Sequence, residues 1–147
     1  QRQMCIRDRT KKMLPVYKGL YDKLGNEPLF LYNYAAELNV AGRYEESLRI
    51  CKASSVRMSD YYTRLLQADN CKQLRRYKEA ERHLQQASYM CPNRFTPLYE
   101  LYTIYKAQGD TASMHRTAEA ILRKPIKVDS PEVRQIIAKM KRFKQIN

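Results

Sequence analysis

Ala41-Gly42-Arg43-Tyr44-Glu45-Glu46-Ser47-Leu48 is the stretch on which the reading of the fold turns. It recurs as Leu74-Arg75-Arg76-Tyr77-Lys78-Glu79-Ala80-Glu81 and, more loosely, as Gln108-Gly109-Asp110-Thr111-Ala112-Ser113-Met114. Gly42, Arg75 and Gly109 occupy the same place, with steps of 33 and 34 residues. Glycine suits the left-handed conformation that closes a helix. Arg75 departs from that pattern, because a residue with a Cβ is strained there. Tyr44 and Tyr77 fall just past the turn, placed to wedge between paired helices. Ser47, Ala80 and Met114 come three residues later, where small side chains let helices cross closely. Met114 fits poorly, so the third pair is expected to cross more loosely. Pro92 and Pro125 then stop the second and third pairs, since proline cannot continue a helix.

A period near 34 residues, with an aromatic and acidic turn between helices, resembles the tetratricopeptide repeat (TPR). The resemblance implies an all-α chain, a right-handed α-solenoid of TPR-like helix–turn–helix repeats. The repeats fall at 27–59, 60–93 and 94–127. Residues 10–26 read as the second helix of a truncated preceding repeat. Residues 128–147 read as a C-terminal capping helix, whose single apolar face (Val133, Ile136, Ile137, Met140) seals the open end of a stack.

Local signals set the helix limits. Residues 1–9 show no helical periodicity, and Met4-Cys5-Ile6-Arg7-Asp8-Arg9 resembles translated sequencing-adapter DNA, so this segment reads as a non-native N-terminus. Leu14, Tyr17, Leu20, Tyr21 and Leu24 form one apolar face, and Pro15 places the start of that helix near itself. Its outer side is expected to stay exposed. Leu31, Tyr34, Ala35 and Leu38 face inward on the next helix, and Leu48, Cys51 and Val56 on its partner. Ser59 or Asp60 caps the helix that follows, satisfying free amides. Ser130 caps the last helix, with Pro131 at its first position.

The 28 Lys and Arg against 15 Asp and Glu give a net charge of +13. The excess is spread along the chain, so it describes a basic surface, not a nucleic-acid arm. Such a surface favours anionic partners, such as acidic proteins, acidic glycans or lipid headgroups; with no basic arm, nucleic acid is not the partner expected. No apolar run approaches the roughly 18 residues that a membrane span needs. Cys5, Cys51, Cys71 and Cys91 form no metal spacing, and only His83 and His115 could join them. Cys51 and Cys71 read as buried free thiols, with a Cys51–Cys71 bridge as the alternative.

No constellation supports catalysis, and no cofactor or metal is expected. Glu37 and Asp69 lie on first helices with no second acid placed beside them. His83 and His115 lie on second helices and are expected to be exposed. Most of the 12 tyrosines fall at packing positions. Tyr32, Tyr62 and Tyr99 do not: repeat arithmetic puts them on the inner face of the first helices, with Asn39, Asp69, Lys72, Thr103 and Lys106. In a TPR array that face binds a peptide or a helix. Asn33 has no matching Asn or Lys set in the later copies, so a clamp for a terminal carboxylate is not expected.

Two segments look like something narrower. Phe30-Leu31-Tyr32-Asn33-Tyr34-Ala35-Ala36-Glu37-Leu38-Asn39, with Gly42 to Ser47, is the first. Met90-Cys91-Pro92-Asn93-Arg94-Phe95-Thr96-Pro97-Leu98-Tyr99-Glu100-Leu101, running through Gly109-Asp110-Thr111 to Lys124-Pro125-Ile126-Lys127-Val128, is the second. Together they resemble the C-terminal repeat region of bacterial O-antigen ligase/polymerase-like membrane proteins. The resemblance implies an accessory role on the periplasmic side, beside a membrane part that assembles cell-surface glycan. It carries no catalytic residue to this chain. A stand-alone cytosolic TPR scaffold or regulator is the alternative.

Overall fold

The structure, a computed structural model, describes residues 2–57 and 60–147, the side chains of 2–4, 56 and 57 excepted. Among the described residues there are eight α-helices and no strand. They are α1 (Arg2–Leu24), α2 (Pro28–Val40), α3 (Tyr44–Arg57), α4 (Tyr61–Gln73), α5 (Tyr77–Met90), α6 (Thr96–Gln108), α7 (Thr111–Arg123) and α8 (Pro131–Ile146). The chain forms two compact units, one up to His83 and one from Leu84 onward. In the first, α1 packs on α2, α2 on α3 and α3 on α4; in the second, α6 packs on α7 and α7 on α8.

The three turns picked out in the sequence close their helices in one way. Gly42, Arg75 and Gly109 all adopt positive φ, at 77°, 59° and 71°. At each site the next amide reaches back over the helix end: Arg43 N to Leu38 O at 2.9 Å, Arg76 N to Cys71 O at 2.8 Å, Asp110 N to Tyr105 O at 2.9 Å. The left-handed residue itself donates three residues back, to Asn39, Lys72 and Lys106. This paired closure satisfies helix-end carbonyls that otherwise lack donors. Arg75 therefore takes the strained conformation that its two glycine counterparts take freely.

Other helix limits follow from side chains. Asp60 accepts from the Thr63 amide at 2.7 Å and Asp110 from the Ser113 amide at 3.0 Å. Ser130 accepts from the Val133 amide at 3.2 Å. Asp60 is thus the cap of α4; Ser59, the other candidate, and the Val56 side chain lie outside the described residues. Pro28 and Pro131 stand at the starts of α2 and α8, where their missing N–H costs nothing.

The start of α1 differs from expectation. The helix runs from Arg2 straight through Pro15 instead of beginning there. Its first half is held by tertiary bonds: Thr10 is buried and donates to Glu37 at 2.8 Å, and Arg9 pairs with the other oxygen of Glu37 at 2.9 Å. Pro15 itself is exposed. Further along, Tyr17 stacks on Tyr34 with centroids 5.4 Å apart, and Phe30 and Tyr21 close the same aromatic group. Tyr44 is half-buried and lines a cleft of about 330 Å³ between α1 and the α2–α3 turn, with Thr10, Lys11, Leu14 and Val40.

In the second unit Phe95, Tyr102, Ala118, Ile121, Ile136 and Met140 form a buried core. Met114 packs on that core, which accounts for a long side chain where the earlier copies have Ser47 and Ala80.

Exchanging the residues at the helix stops tests their common geometry. Arg75→Gly is expected to raise stability by about 1 kcal/mol by relieving left-handed strain, and Gly42→Ala to lower it by about the same. A Cβ on Gly42 meets nothing within 4 Å, so its effect is purely conformational. Urea denaturation of both variants reads the two signs.

Candidate functional site

The face chosen from the sequence falls into two groups, one in each unit. In the first unit α2 and α4 lie side by side. The Asn39 amide donates to Asp69 Oδ2 at 2.7 Å and to Asn70 Oδ1 at 3.1 Å. Asn70, fully buried, donates to Ser47 Oγ at 2.8 Å, and Ser47 donates to the Ala35 carbonyl at 2.7 Å. A chain of polar groups thus ties α2, α3 and α4 together. Buried polar groups hold this way only when each has a partner. Asn39 and Asp69, expected to face a ligand, bind each other across the two helices and fix their spacing.

Tyr32 and Tyr62 lie at the other end of the same pair of helices. Tyr32 is half-buried, and its phenol is held above the usual range, first by burial and then by Asp60, Cys51 and Tyr62. Tyr62 stands 57% exposed, its ring edge-on to Tyr61 at 5.2 Å. Leu29, at the matching place on α2, is also exposed. Lys72 is half-buried at the far end of α4.

In the second unit, Tyr99 is engaged within the fold. Its ring packs against the terminal core and stacks on Tyr102. Lys139 donates to its hydroxyl at 3.1 Å and lies over its ring at 5.2 Å. Thr103 donates to the Glu100 carbonyl at 2.8 Å, and Lys106 is exposed.

Both histidines differ from expectation. His83 is half-buried, with Nδ1 3.4 Å from Arg64. Burial, and then the Arg64 charge, hold its pKa below the usual histidine value. His115 packs on Phe143 at 4.7 Å. Cys51 and Cys71 are free and fully buried. Burial pushes the Cys51 thiol up to about 12 and the Cys71 thiol to about 11.

The sequence reading missed Asn70. Its signal was a polar residue one position before the inward-facing Cys71, in mid-helix, where only a partnered amide is tolerated. It also missed the Thr10–Glu37 bond, whose partners are 27 residues apart.

Among the described residues no group of three His, Cys, Asp or Glu side chains is placed to hold a metal ion. No helix among them is long and apolar enough to cross a membrane. Compared with known proteins, the sequence matches no family model, and no curated protein or solved structure matches it.

Three measurements follow from this packing. Asn70→Ala removes the amide that donates to Ser47 and accepts from Asn39, and is expected to cost about 1–3 kcal/mol, read by denaturant unfolding. Cys51 and Cys71 should resist alkylation in the native protein while the exposed Cys5 reacts, and mass spectrometry after a short pulse counts them. The raised thiols also set a pH dependence. Below pH 9 the thiols are protonated in both folded and unfolded chains and their contribution is fully present. Between pH 9 and about 12 only the unfolded chain ionises, so stability falls. Cys51→Ser and Cys71→Ser should each flatten that fall.

Proposed function

We propose that this chain is a non-catalytic protein-interaction module of tetratricopeptide type. It takes an extended or helical partner peptide along the face shared by α2 and α4. The observation that carries this reading is the pairing of Asn39 with Asp69, which locks two helices side by side while Leu29 and Tyr62 remain exposed on them. A face fixed before binding loses little freedom on association. Exposed tyrosine supplies large contact area with few rotatable bonds, which is why it recurs among the residues that dominate interfaces. The basic surface of the chain favours an acidic partner and speeds its encounter.

The likeness of residues 30–47 and 90–128 to O-antigen ligase/polymerase-like proteins supports a more specific placement. On that reading the module is the soluble C-terminal region of such a membrane protein, on the periplasmic side of the bacterial inner membrane. It serves cell-surface glycan assembly by holding a partner and performs no chemistry itself. A cytosolic TPR scaffold is the competing assignment. The genomic reading frame upstream of Thr10 separates them: a series of hydrophobic spans supports the first, a soluble start the second.

Peptides selected from a displayed random library against this chain test the binding face. Tyr62→Ala is expected to weaken the selected peptides about tenfold or more, and Tyr32→Ala to do likewise, with helicity by circular dichroism unchanged. Tyr89→Ala, an 81% exposed tyrosine on α5, should have no effect. Tyr99→Ala should instead lower stability, since that ring packs on the core of its unit. Selected peptides that ignore Tyr32 and Tyr62 alike would sink the reading.

A further inference from the structure

Arg64 on α4 and His83 on α5 meet within the first unit, and their contact fixes a protonation state. Arg64 Nη1 lies 3.4 Å from His83 Nδ1 and donates to Gln67 Oε1 at 3.2 Å. A guanidinium carries donors only, so Nδ1 is the acceptor, and the neutral ring holds its proton on Nε2. Arg64 and His83 are half-buried and Gln67 is buried. The Nε of Arg64 is buried as well and has no acceptor among the described residues. The guanidinium thus relies on few acceptors, and His83 is one of them.

A proton added to Nδ1 removes that acceptor and sets a second positive charge against Arg64. The other charges acting on the ring lie on its own helix and divide: Arg82 adds to the repulsion, and Glu79 opposes it. Burial first, and then Arg64, outweigh Glu79 and hold the ring below the usual histidine value. The folded chain therefore keeps His83 neutral in a range where the unfolded chain protonates it, from about pH 6.5 downwards. What the contact contributes to stability is fully present above that pH and is lost as the pH falls through the folded value. Histidine is the side chain whose charge changes in this range with least perturbation.

We propose that the Arg64–His83 contact is an acid-sensitive latch between α4 and α5, closed while His83 is neutral and released when a proton reaches Nδ1. Release turns Arg64 away from the ring and loosens α5 from α4 in mildly acidic solution. The latch needs no partner, so it operates in the isolated chain.

Denaturant unfolding of the full chain at about pH 7.5 and about pH 5.5, beside the variant His83→Gln, tests the proposal. Glutamine keeps an acceptor and does not titrate. Between the two pH values the folded-to-unfolded ratio of the unsubstituted chain is expected to fall by up to about tenfold more than that of the variant. Nitrogen chemical shifts of the imidazole, followed by NMR over the same range, give a readout that does not depend on unfolding. The neutral ring should be the Nε2–H form and should titrate below the ordinary histidine value, and Arg64→Gln should raise that midpoint. Should His83→Gln fail to fold, the titrations of the unsubstituted chain and of Arg64→Gln decide. An acid loss of the same size in His83→Gln, a ring protonated on Nδ1 when neutral, or a midpoint that Arg64→Gln leaves unmoved overturns the proposal.

Discussion

The structure depends on how its first helices end. At Gly42, Arg75 and Gly109 the chain turns left-handed, and two amides at each site fold back onto the helix they have left. That closure fixes where the next helix starts and the direction in which it leaves. Within the first unit α1 to α4 then pack in order, with α2 also against α4, and within the second α6 to α8 do so. Conformational entropy opposes any fixed relation between helices, and a satisfied helix end removes several ways for the turn to go wrong. Arg75 shows the strength of the constraint. A side chain that prefers the right-handed region is carried into the left-handed one because the surrounding bonds require it there.

The first unit is held in an uncommon way for an all-helical structure. Its centre contains Ser47, Ser54, Thr63, Asn70, Cys51 and Cys71 beside Leu31 and Leu38. Tyr34, Ala35, Tyr61 and Ala68 are buried there too. The small polar residues let the helices come close and add directional bonding, from the Ala35 carbonyl through Ser47 and Asn70 to Asn39 and Asp69. Such a network is worth little while intact and costs much when one member is lost. It therefore acts less as glue than as a gauge, setting the rotation of α2, α3 and α4. The second unit relies on ordinary apolar packing around Tyr102, Ile121 and Met140.

Legibility in the sequence followed locality. Gly42, Gly109, Pro28 and Ser130-Pro131 act within a few residues of themselves, and the helix limits they imply are observed. The inward positions Leu31, Leu38, Cys51 and Cys71 followed from helical spacing and are buried. The start of α1 did not follow, because Thr10 and Arg9 are held by Glu37 on another helix, and that bond outweighs the local effect of Pro15. The candidate face was legible in part. Tyr62 is exposed, as repeat position implies. That Asn39 and Asp69 meet, or that Lys139 covers Tyr99, depends on how neighbouring helices are rotated about their axes. Spacing along one helix carries no such information.

The same distinction bears on where partners can bind. A side chain on these helices lies either against a neighbouring helix or in water. A polar residue between two helices becomes part of the gauge, as Asn39 and Asp69 do. An apolar residue on a flank with no neighbour has no such use, and burying it takes a surface from elsewhere. Leu29 and Tyr62 are exposed on α2 and α4. Their exposure is costly only while nothing covers them. Rigidity below and apolar area above are thus two results of one packing scheme, and they are the two features on which the proposed recognition of a partner rests.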